Sequence, residues 1–144
     1  MSVPEPLGTQ RRSDDRTDAR EQALIALYEA EQRGVSLVDV MQDRPRSTED
    51  LARLIVVGVS EDAMAIDSLI TTHSKGWALD RMPALDRAIL RMGVFELLHR
   101  LDTPIAVIID EAVELAKRFS TDDSGRFVNG VLAAVARAAR PTEK

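Results

Sequence analysis

Between Pro83 and Leu101, apolar residues fall on nearly every side of a helical wheel. Leu85, Ala88, Ile89, Met92 and Phe95 line one face, and Leu90, Val94, Leu97, Leu98 and Leu101 occupy others. A surface helix carries an apolar stripe roughly 100° wide, whereas a helix apolar nearly all round has to be enclosed by others. The stretch is therefore predicted to be the central helix. Asp86 sits near its positive end, and Pro83 falls in the first turn, where no amide donor is needed.

The remaining helical stripes are narrower and are expected to pack around this one. Residues 1–15 hold little to bury and read as a mobile tail. A helix capped near Thr17 or Asp18 carries Ala23, Leu24, Leu27 and Tyr28 and stops at Gly34. A short helix over Val35 to Met41 ends before Pro45. Ser47 to Asp50 makes a capping-box-like start to a long helix with Leu51, Leu54, Ile55, Gly58, Val59, Ile66, Leu69 and Ile70 in period, ending near His73. Lys75 and Gly76 break it. One turn follows Trp77, which is expected to close the joint between the two halves of the chain.

After the central helix, Thr103 as cap and Pro104 at the first helical position open another helix. Its inner face is Ile105, Ile108, Ile109, Ala112, Leu115, Ala116 and Phe119, and its outer face pairs Glu114 with Arg118. The 3.6 period outlasts the β-branched run Val107 to Ile109, so the segment is helical. A last helix follows Asp122, Asp123 and Ser124 and carries Phe127, Val128, Val131, Leu132 and Val135. In it, Gly130 reads as a close helix–helix approach. No strand-like alternation appears. The expected fold is all-α and single-domain, over residues 16–140, built of two small packed bundles at about 16–73 and 77–140.

A chain of 144 residues suffices for a real core. With no cysteine and two separated histidines, His73 and His99, neither disulfides, a thiol nucleophile nor a metal site is expected. No signal peptide or membrane span is apparent, which reads as a soluble cytoplasmic protein. The net charge of −5 argues against a surface basic all over, but its distribution is uneven. Six basic residues stand against three acidic ones from Lys117 to Lys144, and Arg11, Arg12, Arg16 and Arg20 cluster near the other end.

Catalytic motifs are lacking, so no enzymatic activity and no cofactor are expected. Asp110, Glu111 and Glu114 read as a solvated or salt-bridged helix face. Arg87, Arg91 and Glu96, on so apolar a helix, must be paired or reach the surface, and a structural ion network is the favoured reading for Arg91 and Glu96. Two constellations suggest binding. Arg16 and Arg20 lie one turn apart at the head of the first helix. Asp123, Ser124, Arg126 and Phe127 put acceptors, a guanidinium and an aromatic at a helix start, although Phe127 suits a core position equally well. Arginine, aromatic ring and helix N-terminus together suit single-stranded RNA.

Four stretches carry a closer likeness: Arg16-x-x-Ala-Arg20-x-x-Ala-Leu-x-x-Leu27-Tyr28-x-x-Glu31; Asp86-Arg87-Ala-Ile-Leu-Arg91-x-x-x-Phe95-Glu96-Leu-Leu; Pro104 with Asp110-Glu111-Ala-Val-Glu114-Leu-Ala-Lys117; and Asp123-Ser124-x-x-Phe127-Val-Asn129-Gly130-Val-Leu132. In this order and spacing, from Arg16 to Leu132, they resemble the NusB family of transcription antitermination proteins. The resemblance implies a NusB-like helical fold and an RNA-binding protein that pairs with NusE, the ribosomal protein S-ten. It also implies recognition of boxA in the nascent ribosomal RNA leader, with the other Nus factors and RNA polymerase engaged indirectly. It assigns RNA contacts to Arg16, Arg20, Asp123, Ser124, Arg126 and Phe127, and a contact with the ribosomal partner to Asp86. The chain departs from the family in having Asp14, Asp15 and Asp18 interleaved with the arginines, which opposes phosphate attraction. A helical adaptor of the same fold with weak or lost RNA binding is the alternative. A methyltransferase that carries a NusB-like domain is disfavoured, because no cofactor-binding βαβ pattern follows.

Overall fold

The computed structural model describes residues 15–42 and 50–142, all helical or loop. The predicted tail, the Pro45 stop and the Ser47 cap lie outside these residues, apart from Asp15. Among them run α1 (Asp15–Arg33), α2 (Leu37–Gln42), α3 (Asp50–Glu61), α4 (Ala63–His73), a 3-10 turn (Leu79–Arg81), α5 (Ala84–His99), α6 (Ile105–Phe119) and α7 (Asp122–Ala139).

Helix α5 is the axis. Residues on all its sides are buried, from Asp86 through Ala88–Leu90 to Met92–Leu97, and Ile89, Leu90, Val94 and Leu97 have no exposure at all. Helices α1, α3, α4, α6 and α7 all pack against it. Leu101, beyond its end, is exposed, so the enclosed stretch stops at the helix terminus. Two glycines allow the closest approaches to neighbours. The ring of Phe95 occupies the place where a side chain on Gly58 would stand, and a Cβ on Gly93 would lie 2.7 Å from Leu132 Cδ1. Gly130, by contrast, faces open space, so the close approach expected there is made at Gly93 instead.

Local signals account for most boundaries. Gly34 takes φ +67°, with its N–H donating to Glu31 O at 3.2 Å and that of Val35 to Ala30 O at 3.1 Å, the pair of bonds that closes a Schellman motif. Tyr28 sits at the margin of the α1 stripe, 37% exposed. The long helix expected from residue 51 to 73 is two helices bent at Asp62 (φ −116°, ψ 25°). Its period is unbroken because Asp62 N–H still reaches Gly58 O and Ile66 N–H reaches Asp62 O, both at 3.0 Å. The bend lets α3 lie on α1 while α4 reaches α7, and the Asp62 carboxylate meets His99 Nε2 at 2.8 Å. Pro104 stands at the cap of α6 rather than inside it, one residue later than predicted.

The charges of α5 form the expected network. Arg87 pairs with Glu31, and Arg91 Nε donates to Asp67 Oδ1 at 2.8 Å. At the far end Arg140, buried, donates to the carbonyls of Leu97, Thr103, Glu96 and Arg100 at 2.8–3.1 Å. A guanidinium thus closes the C-terminal turn of α5, where a cation is favoured.

Candidate nucleic-acid interface

The end of α7 is built from hydroxyls. Thr121 is its N-cap, accepting the Ser124 N–H at 2.9 Å. Such a cap contributes about 1 kcal/mol. Ser124 Oγ donates to Asp86 Oδ2 at 2.8 Å, so the contact with Ser120 Oγ, at 2.9 Å, is donated by Ser120. This ties the first turn of α7 to the first turn of α5. Gly125 brings the same turn against α6, where a Cβ would lie 3.0 Å from Lys117 Cγ.

What this bracket presents outward is Asp123 and Arg126, both well exposed and paired with each other one turn apart. Phe127 is half-buried, resting on the core with one edge-to-face neighbour, Trp77, at 4.9 Å between ring centroids. Phe127 is therefore neither a fully enclosed core residue nor fully exposed. A shallow groove of about 460 Å³ runs between α6 and α7, with Lys117, Arg126 and Asn129 against Asp110 and Glu114. Trp77 is 47% exposed and does not seal the joint between the halves. Its proximity to Phe127 was not legible from spacing, because a loop separates it from every periodic stretch.

The structure places three of the assigned residues inside the protein. Arg20 lies inside: it is 3% exposed and its Nε and Nη2 donate to Glu96 Oε2 and Oε1 at 2.8 and 2.9 Å, with Glu111 3.6 Å away. A guanidinium so enclosed is not available to a phosphate. Asp86 is 2% exposed and accepts from Ser124, and its other oxygen has no hydrogen-bond partner among the described residues. In this structure it is an internal anchor. Ser124, also buried, spends its hydroxyl on Asp86 and so positions its neighbours instead of facing a ligand.

Arg16 stays exposed at the head of α1. Thr17 Oγ1 donates to Glu111 at 3.1 Å and Arg118 reaches Glu21 at 3.0 Å, so Arg118 bridges to α1 and not, as expected, to Glu114. Helix α6 thereby lies between Arg16 and Arg126, with Glu111 and Arg118 turned toward α1 and Val113 and Lys117 toward α7. The surface of α6 is of mixed charge, with Glu111 and Glu114 beside Lys117 and Arg118.

The sequence pattern of the NusB family matches residues 17–137. A relative from Kineococcus radiotolerans, named transcription antitermination protein NusB, is 46% identical over 125 residues, 84% of this chain and 92% of its own. A crystal form of Thermotoga maritima NusB superposes with a TM-score of 0.78 at 35% identity, covering 87% of this chain and 92% of that one. A structure of the antitermination factors NusB and NusE in complex with double-stranded RNA gives 0.76 at 28% identity, covering 85% and 96%. With the helix order, the α5 axis and the α7 bracket in place, the chain belongs to the NusB family of transcription antitermination proteins.

Proposed function

We propose that this protein binds boxA RNA of the nascent ribosomal leader together with NusE, and acts with the other Nus factors and RNA polymerase in transcription antitermination. The work is recognition in the cytoplasm and involves neither catalysis nor a cofactor. The observation that carries this reading is the first turn of α7, fixed from inside by Thr121, Ser124 and Asp86 while Asp123 and Arg126 face outward beside the half-buried Phe127. Pre-ordered groups bind without losing further side-chain freedom. The guanidinium suits phosphate, the carboxylate accepts from base amino groups, and the ring offers a stacking surface.

Arg16, Asp123, Arg126 and Phe127 are the proposed contacts. Ser124 and Asp86 serve either ligand only through the position of α5 and α7, and Arg20 through the position of α1. Arg126 is already paired with Asp123, and Arg16 stands beside Asp15 and Asp18, so RNA attraction by the free chain is weak. A basic ribosomal protein bound alongside supplies the missing charge. Titrations of labelled boxA RNA at several salt concentrations, with and without NusE, test this. Affinity should rise with NusE, and Arg126→Ala should reduce the salt slope by about 0.7 for a single strand. Negligible RNA binding in both conditions would favour the adaptor reading.

A further inference from the structure

Trp77 is 47% exposed, the sole tryptophan of the chain, and lies where the periodic pattern has been broken. Lys75 and Gly76 both take positive φ, 54° and 88°, and turn the chain sharply after α4. The backbone of Trp77 is nevertheless held on both sides: its N–H donates to Ser74 O at 3.3 Å and its carbonyl accepts from the buried Ser74 Oγ at 2.7 Å. A large aromatic on a pinned turn, half in solvent, is displayed and not merely left over from the core. Its planes meet those of Phe127 at 73°. In such a T arrangement, whichever ring supplies the edge, Phe127 leaves at least one face of the indole uncovered.

The surroundings also suit a polyanion carrying flat bases. Lys75 lies two residues away, exposed, and Arg126 precedes Phe127 in α7. Asp80, Asp122 and Asp123 are the nearby acids in sequence, so the charge is mixed and the aromatic pair carries the greater share of recognition. We propose that Trp77 is a nucleobase-stacking residue, extending the RNA site from the head of α7 across to the connector between α4 and α5. This rests on the reading that Asp123 to Phe127 meet RNA. It commits the occupant to an unpaired base, because a base inside a duplex has no free face to offer.

The tryptophan reports on itself. Titrating the full-length chain, with NusE present, with a single-stranded boxA oligonucleotide should quench its fluorescence saturably and protect it from acrylamide. The same sequence annealed to its complement should do neither. Trp77→Phe, which keeps a flat ring, should bind within about threefold of the parent, while Trp77→Leu, apolar but not planar, should lose roughly 5- to 100-fold. Urea midpoints of both variants separate a lost contact from a lost fold, and acrylamide protection of the parent requires no variant at all. Boxa binding that depends on Arg126 but leaves the fluorescence and the Trp77→Leu affinity unchanged would overturn the role of Trp77 and leave the RNA site standing. Fluorescence that responds to NusE alone and not to RNA would overturn it in favour of a protein contact. Absence of RNA binding by the parent would remove both the site and this extension of it.

Discussion

Glu96 and Arg20 provide the sharpest test, because a motif reading makes Arg20 a ligand contact and the structure makes it an interior strut. Both side chains are 3% exposed and joined by two hydrogen bonds of 2.8 and 2.9 Å. Removing one partner of a buried pair leaves the other charge in a poor dielectric, at a typical cost of about 3–5 kcal/mol. The two halves are not equivalent. After Arg20→Met, Glu96 keeps Arg100 Nη1 at 3.2 Å, which softens the loss. After Glu96→Leu, Arg20 keeps Glu111, more exposed and 3.6 Å away.

The double variant Arg20→Met with Glu96→Leu replaces the pair by apolar groups of similar volume and should lie well below the sum, within roughly 2 kcal/mol of the parent. Urea denaturation followed by far-UV circular dichroism measures this directly. With a slope of about 2 kcal/mol per M, each single change should lower the midpoint by roughly 1.5–2.5 M. If Arg20→Met leaves the midpoint in place while RNA affinity falls, Arg20 is a surface contact and its assignment to the interior is wrong.

Leu90→Ala should cost about 2–5 kcal/mol, since Leu90 is wholly buried on the axis helix, whereas Glu114→Ala on the exposed face of α6 should stay within about 0.5 kcal/mol in the same urea assay. Gly93→Ala should destabilise by about 1–2 kcal/mol despite its gain in helix propensity, because the new methyl meets Leu132, which is itself fully enclosed. Gly130→Ala, in open space on a helix, should do the reverse and add up to about 1 kcal/mol of stability. Arg140→Lys should lose about 1–3 kcal/mol, because one ammonium cannot serve four carbonyls spread over the end of α5 and the following turn; a thermal midpoint equal to the parent's would contradict that cap.

The helices and the identity of the central one were readable in the sequence because hydrophobic period and burial have the same cause. Leu90, Val94 and Leu97 are apolar on a side where a surface helix would be polar, and burial on all sides follows. The bend at Asp62 left no trace, since the hydrogen-bond ladder and the 3.6 period both pass through it. Gly93 and Gly130 look alike in sequence, and only the partner helix distinguishes a tight crossing from an open surface. Charged residues were the least legible. Arg16 and Arg20 are one turn apart, but only the second lies under α5, where Glu96 awaits it.

That distinction bears on how the site is assembled. Arg20 holds α1 to α5 through Glu96, Asp86 holds α7 to the same helix through Ser124, and Thr17 and Arg118 link α1 with α6. The ionised groups nearest the proposed RNA contacts are thus largely engaged in placing helix ends, and few remain to attract phosphate. In the proposed site, selectivity is expected to come from shape and from aromatic faces at Phe127 and Trp77, with charge supplied by the proposed partner. The free protein is then expected to be a weak RNA binder with a shallow salt dependence, and its affinity to be set chiefly by whether NusE is present.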